Sequence, residues 1–125
     1  MKILIVDDSL MDRKLLMNML KKNSIDKEIL QASDGEEGLQ VLASHYKDIG
    51  LILLDWQMPK MDGIEFMKGV VSVPHTSSIP IVMITASASE ENKTLAREVN
   101  PKLAGYIIKP YKPETLIETV KPYIK

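Results

Sequence analysis

Four apolar runs in this sequence each stop at a residue able to do chemistry. Ile3-Leu4-Ile5-Val6 stops at Asp7-Asp8, Leu51-Ile52-Leu53-Leu54 at Asp55, Ile81-Val82-Met83-Ile84 at Thr85, and Tyr106-Ile107-Ile108 at Lys109. Gathered in one place, three ionised carboxylates repel: a pair about 4 Å apart costs roughly 1 kcal/mol in bulk water and about 4 at an effective dielectric near 20. Such a cluster holds together when a cation sits among the oxygens or a carboxyl takes up a proton. Oxygen donors without His or Cys favour Mg²⁺ or a similar hard ion (Mn²⁺ included). A lysine and a threonine hydroxyl at the same place complete the parts that phosphoryl transfer needs, because catalysis there is mainly positioning and charge neutralisation. Singly, each residue has a plainer role: an Asp after a strand caps a helix or forms a turn, a Thr bonds its own backbone, and a Lys is a solvated charge.

Whether the five groups meet depends on the elements that carry them. Strands are expected over Ile3 to Val6, Glu28 to Gln31, Ile49 to Leu54, Pro80 to Ile84 and Ala104 to Ile108. Three are continuously apolar, the pattern of strands covered by helices on both faces. Between them lie helical patterns with start signals. Ser9 with Asp12, Asp34 with Glu37, and Asp62 with Glu65 have capping-box spacing. Leu15, Leu16, Met19 and Leu20 form one apolar stripe on the first helix, with Met17 on a wetter side. The fourth helix, over Ser89 to Val99, has only Leu95, Ala96 and Val99 as apolar positions. Pro113 suits the first turn of the last helix, and Pro122 should end or bend it. This βα unit repeated five times predicts a doubly wound α/β fold of the flavodoxin-like (βα)5 type. In it a five-stranded parallel sheet of order 2-1-3-4-5 is joined by right-handed crossovers. Ligands of such sheets bind beyond the carboxyl ends of the strands, where the strand order switches. Strands 1 and 3 flank that switch, so Asp7, Asp8 and Asp55 converge, with Thr85 and Lys109 arriving from the strands beside them.

Composition narrows the classes of function. The chain of 125 residues is 45% hydrophobic and 26% charged, an ordinary make-up for one globular domain over residues 1–125. A formal net charge of -1 gives no basic excess for sequence-independent nucleic-acid binding. The absence of cysteine removes thiolate nucleophiles and Cys-based zinc sites. The apolar runs are too short to span a bilayer, and a monomeric cytoplasmic protein is expected. His45 and His75 have no ligand partner nearby in sequence, and Lys112, Lys121 and Lys125 read as solvated charges.

The residues at the strand ends sit in motifs with a family stamp. The segments Ile3 to Ser9, Leu53 to Gly63, Ile84-Thr85-Ala86 and Gly105 to Pro110 resemble the receiver domain of two-component response regulators, especially single-domain chemotaxis-type regulators. The likeness covers essentially the whole chain, in the right order. It implies that Asp55 is the phosphoacceptor. It implies that Asp8, Asp55 and the backbone carbonyl of Gln57 bind the metal directly, and Asp7 through water. Lys109 would pair with the phosphoryl group, Thr85 would move to hydrogen-bond it, and Ala86 would leave room for the phosphodonor. Tyr106 matches an aromatic that swings inward when Thr85 moves, coupling the site to a partner-docking face of helix 4, strand 5 and helix 5. A cis Lys109-Pro110 bond is part of the resemblance. The expected phosphodonor is a histidine kinase or phosphotransfer protein, and output is by protein contact, in chemotaxis or as a phosphorelay intermediate elsewhere. Trp56, beside the acceptor, would report metal and phosphate binding.

Two other classes compete with this one. An aspartyl-nucleophile phosphatase places a second Asp two positions after the nucleophile as general acid, and Gln57 stands there. A flavodoxin-like cofactor carrier needs hydroxyls and backbone N–H groups around a phosphate after strand 1, where two aspartates would repel it. One departure from the family pattern is the turn Val99-Asn100-Pro101-Lys102-Leu103, which leaves the end of helix 4 and the output face open.

Overall fold

In the computed structural model, which describes residues 1–124, the strands are β1 (Lys2–Val6), β2 (Glu28–Ala32), β3 (Ile49–Leu54), β4 (Ile81–Thr85) and β5 (Gly105–Ile108). They alternate with α1 (Leu10–Lys22), α2 (Gly35–His45), α3 (Gly63–Val71), α4 (Glu90–Val99) and α5 (Pro113–Val120), and the 3-10 turn Lys121–Tyr123 closes the series. Lys125 lies outside the described residues. All strand pairs are parallel, and the order is β2-β1-β3-β4-β5, as the sequence predicts.

Side chains alternate across a strand, so each apolar strand feeds two cores. Leu4, Val6, Ile52, Leu54, Ile81 and Met83 face α2, α3 and α4, meeting Leu42, Phe66, Met67, Val70 and Ala96. Ile3, Ile5, Leu51, Leu53, Val82 and Ile84 face α1 and α5, meeting Leu16, Leu20, Leu116 and Val120. The twofold covering leaves the carboxyl edge of the sheet as the exposed place where strand-end side chains collect.

Three side-chain placements differ from expectation. On α1 the buried residues are Leu16 and Leu20, while Leu15 is 47% exposed. Met17, expected on the wet side, is half-buried and packs on the core beneath α1 and α5. On α4 only Ala96 is buried, and Leu95 faces outward. The buried stripes of α1 and α4 are thus narrower than apolar spacing alone indicates.

The turn after α4 has a clear construction. Asn100 caps the helix through its N–H to the Ala96 carbonyl, at 2.9 Å. Its side-chain oxygen accepts from the Lys102 N–H at 3.1 Å and its carbonyl from the Leu103 N–H at 2.9 Å. Asn100 is 5% exposed and Leu103 is buried, so Pro101 sits in a turn whose first residue bonds the chain two and three positions on. The α4 boundary at Val99 follows from this.

Candidate functional site

The sheet places Asp7 and Asp55 directly after adjacent strands, whose register pairs Val6 with Leu54. The Asp55 N–H bonds the Val6 carbonyl at 2.9 Å. One carboxylate oxygen from each of Asp7, Asp8 and Asp55 lies within 4.8 Å of the others. Asp7 is buried, Asp55 is 9% exposed, and Asp8 is exposed. Their backbone surroundings fix them: the Ser9 N–H donates to Asp7 Oδ1 at 2.9 Å, and the Trp56 N–H to Asp55 Oδ1 at 2.9 Å. Arg13 adds a donor to the Asp7 carbonyl and another to Gln31 Oε1 at 3.0 Å. It pins the β1–α1 corner, a role the sequence alone did not signal.

Lys109 closes the pocket. Its Nζ lies 2.9 Å from Asp12 Oδ2, 3.2 Å from Asp7 Oδ2 and 3.8 Å from Asp55 Oδ1. It follows β5 and is followed by a cis peptide bond to Pro110. Burial pushes the Asp55 carboxyl up to about 6; Lys109 opposes that rise, and Asp7 and Asp8 add to it. Burial likewise raises Asp7, against the pull of the Ser9 N–H and Lys109. Burial works against the Lys109 ammonium but is outweighed by Asp12, Asp55 and Asp7, which hold it protonated well above the usual range. Such a site is poised for a hard cation: its oxygens are gathered, in mutual repulsion and short of positive charge.

The remaining strand-end residues meet at Ser87. Thr85 is buried, and its Oγ1 accepts from the Ser87 N–H at 3.3 Å. The Tyr106 hydroxyl donates to the Ser87 carbonyl at 2.9 Å. Ser87 Oγ accepts from Asn92 Nδ2 at 2.8 Å, tying the same residue to α4. Sequence reading missed Ser87 as the shared partner, because its links to Thr85 and Tyr106 run through the backbone N–H and carbonyl, which no residue type reveals. Ala86 is exposed beside this loop, as is Gln57 beyond Trp56. Trp56 is half-buried against the core beneath α2, α3 and α4.

The β3–α3 loop forms the other wall. The Gly63 N–H bonds the Trp56 carbonyl at 2.7 Å, and a side chain at Gly63 would collide with the Asp55 carbonyl oxygen. Lys60 sits in the left-handed region with φ 68. Asp62 and Glu65 form a complete capping box on α3. The tightness of this loop therefore keeps Asp55 close to the start of α3.

The model of the response regulator receiver domain matches residues 3–121. The chain belongs to that family. It is 31% identical over 121 residues to a chemotaxis protein CheY homolog of Campylobacter jejuni, covering 97% of this chain and 90% of that protein. It is 32% identical to chemotaxis protein CheY1 of Helicobacter pylori, over 97% of this chain and 94% of the relative. The solved structure of Vibrio cholerae chemotaxis protein CheY4 superposes with a TM-score of 0.85 at 33% identity, covering 98% of this chain and 97% of that one. A phosphorylated cyanobacterial phytochrome response regulator, RcpA, gives 0.80 at 28%, covering 97% and 89%. The receiver is a CheY-like, phosphorylation-activated signalling switch in the flavodoxin-like fold, and the phosphatase reading is not favoured. Receivers of this kind take phosphate from histidine kinases and act on downstream targets. Among the described residues no helix is long and apolar enough to cross a membrane.

Proposed function

We propose that this receiver, acting as one domain over residues 1–125, accepts a phosphoryl group on Asp55 and signals by a change of surface, in a chemotaxis-type pathway. The observation that carries the reading is the meeting of Asp7, Asp8 and Asp55 oxygens within 4.8 Å under the Lys109 ammonium. Asp8 and Asp55, with the Gln57 backbone carbonyl, would hold Mg²⁺ (or Mn²⁺), and Asp7 would act through water; the bound ion supplies charge neutralisation for the phosphoryl oxygens. The donor set supports this, being three hard carboxylate oxygens with no His or Cys ligand in the group among the described residues.

The transfer itself is carried by the chain's own groups. An ionised Asp55 oxygen attacks the phosphorus of a phosphohistidine; the P–N bond breaks, the imidazole departs, and a P–O bond forms on Asp55. With its carboxyl at about 6, Asp55 is mostly ionised at neutral pH and available as nucleophile. Lys109 stabilises the charge on the transferring group, while the small Ala86 side chain leaves the approach open. Hydrolysis later returns Asp55 and inorganic phosphate. Thr85 turns its hydroxyl from the Ser87 N–H to a phosphoryl oxygen. Because Ser87 also holds Tyr106 and Asn92, that turn loosens the aromatic and the start of α4 together. The α4–β5–α5 face is then the surface offered to a protein target, with no nucleic acid or membrane involved. A cytoplasmic monomer fits this role.

Thr85→Ala separates uptake from output. The variant should still take phosphate from a small acyl phosphate with Mg²⁺, while its affinity for the target no longer differs between phosphorylated and unphosphorylated forms. A target whose binding ignores phosphorylation already in the parent protein would show that the chain does not switch. Trp56 fluorescence should respond to Mg²⁺, and Asp8→Ala should weaken that response about tenfold or more; an unchanged titration would remove Asp8 from the ligand set.

A further inference from the structure

Three helices begin with the same cap-like spacing, yet they finish the cap differently. On α3 the box closes both ways: Asp62 accepts from the Glu65 N–H, and Glu65 reaches back to the Asp62 N–H. On α2 the Glu37 carboxylate reaches back one residue further, to the Ser33 N–H at 3.1 Å. On α1 Ser9 accepts from the Asp12 N–H at 3.1 Å, but nothing returns from the Asp12 carboxylate. The Ser9 N–H is already taken by Asp7. The Asp12 side chain leaves its own helix end and meets Lys109 at 2.9 Å, the shortest of the three carboxylate contacts to that ammonium. Asp12 is therefore a fourth carboxylate at the pocket, 40% exposed and carried by a helix instead of a strand end.

The contact divides a limited resource. One ammonium serves Asp12, Asp7 and Asp55, and it lies nearest Asp12, at 2.9 Å, and furthest from the proposed acceptor Asp55, at 3.8 Å. Phosphoryl oxygens on Asp55 need that same ammonium. We propose that Asp12 is a positioning residue for phosphoryl transfer: it holds Lys109 toward α1 in the resting state, so that Lys109 reaches the phosphoryl group by exchanging Asp12 for phosphoryl oxygens. This rests on the assignment of Asp55 as acceptor. Two consequences follow. Holding Lys109 nearer Asp12 than Asp55 leaves Asp55 freer for a metal ion, while Asp7 still shares the ammonium at 3.2 Å, and it imposes a cost on phosphoryl binding that a charge-neutral residue at this position would not.

The test is a double-mutant cycle of Asp12→Asn and Lys109→Met, read by Trp56 fluorescence in two titrations, Mg²⁺ alone and then beryllofluoride at saturating Mg²⁺. With Lys109 present, Asp12→Asn should weaken Mg²⁺ binding and strengthen beryllofluoride binding. Loss of one negative charge would by itself give the same signs, so the comparison between backgrounds decides. Each effect should be larger with Lys109 present than in the Lys109→Met background, which lacks the ammonium, by about three- to tenfold. Equal effects in the two backgrounds, or no effect in either, would overturn the proposal. A parent protein that binds Mg²⁺ but takes no beryllofluoride would instead remove Asp55 as acceptor, and the Mg²⁺ arm of the cycle would still report on the Asp12 contact.

Discussion

The Asp55 carboxylate is destabilised chiefly by its burial, and its titration has a definite sign. Its carboxyl stands at about 6 in the folded protein against an ordinary value of 3.8. Between those values the folded protein binds more protons than the unfolded chain, so the stability this group contributes is greatest below pH 3.8 and is lost as pH rises through 6. The shift corresponds to at most about 3 kcal/mol, with Asp7 acting in the same direction. Asp55→Asn should therefore raise the metal-free protein's stability at pH 7 by about 1–3 kcal/mol and flatten its dependence on pH between about 4 and 7. Urea unfolding across that range checks it, and a variant less stable than the parent at pH 7 would contradict it. Conversely, Mg²⁺ should stabilise the parent but not the variant, and its affinity should fall as pH drops through about 6, where protons compete for the same oxygens. At this scale the sequence was most legible for residues that end strands: Asp7, Asp8, Asp55, Thr85 and Lys109 are placed by strand position alone. It was silent on the parts played by Asp12 and Ser87, which depend on a rotamer and on backbone groups.

The loops that carry these residues are held by a few demanding positions. Gly63 packs its backbone on Asp55 and Trp56, and an added Cβ would lie 2.9 Å from the Trp56 Cα as well as striking the Asp55 carbonyl oxygen. Gly63→Ala should cost about 1–3 kcal/mol and weaken Mg²⁺ binding by displacing the β3–α3 loop; a variant with unchanged Tm and unchanged metal titration would show that the loop has slack. At the other end of α1, Ser24 adopts φ 64 while its N–H and that of Ile25 bond the Lys21 and Leu20 carbonyls. That is a helix stop built on a left-handed residue, where glycine carries no Cβ penalty. Ser24→Gly should accordingly add about 1 kcal/mol, measured by chemical denaturation, with phosphorylation unaffected. Element types and caps were readable from periodicity and from Ser9, Asp34, Asp62 and Pro113. Exposure was not: Leu15 and Leu95 look like stripe residues but lie outside the strip that the sheet can cover.

Over the whole molecule, the sheet order is what converts separate strand ends into one pocket, and the fivefold βα pattern of the flavodoxin-like fold made that order inferable. The same architecture divides the surface. Exposed large apolar side chains among the described residues include Leu10, Met11 and Leu15 on α1, against Leu95 alone on α4. Of these, Leu15 borders a cleft of about 450 Å³ that runs past Asp12 and Lys109 to Pro110 and Tyr111. The sparse exposed apolar surface of α4 is in keeping with the proposed switch, in which a shift of Ser87 and Tyr106 would be needed to make the α4–β5–α5 face bind a partner. The central claim, that all of this serves a phosphoryl group on Asp55, is tested most directly by the intact mass of the protein after incubation with a small acyl phosphate and Mg²⁺. The parent should gain one phosphoryl group, fail to gain it when Mg²⁺ is chelated beforehand, and show no gain as Asp55→Asn. A phosphoryl group retained by Asp55→Asn, or none gained by the parent, would contradict the account.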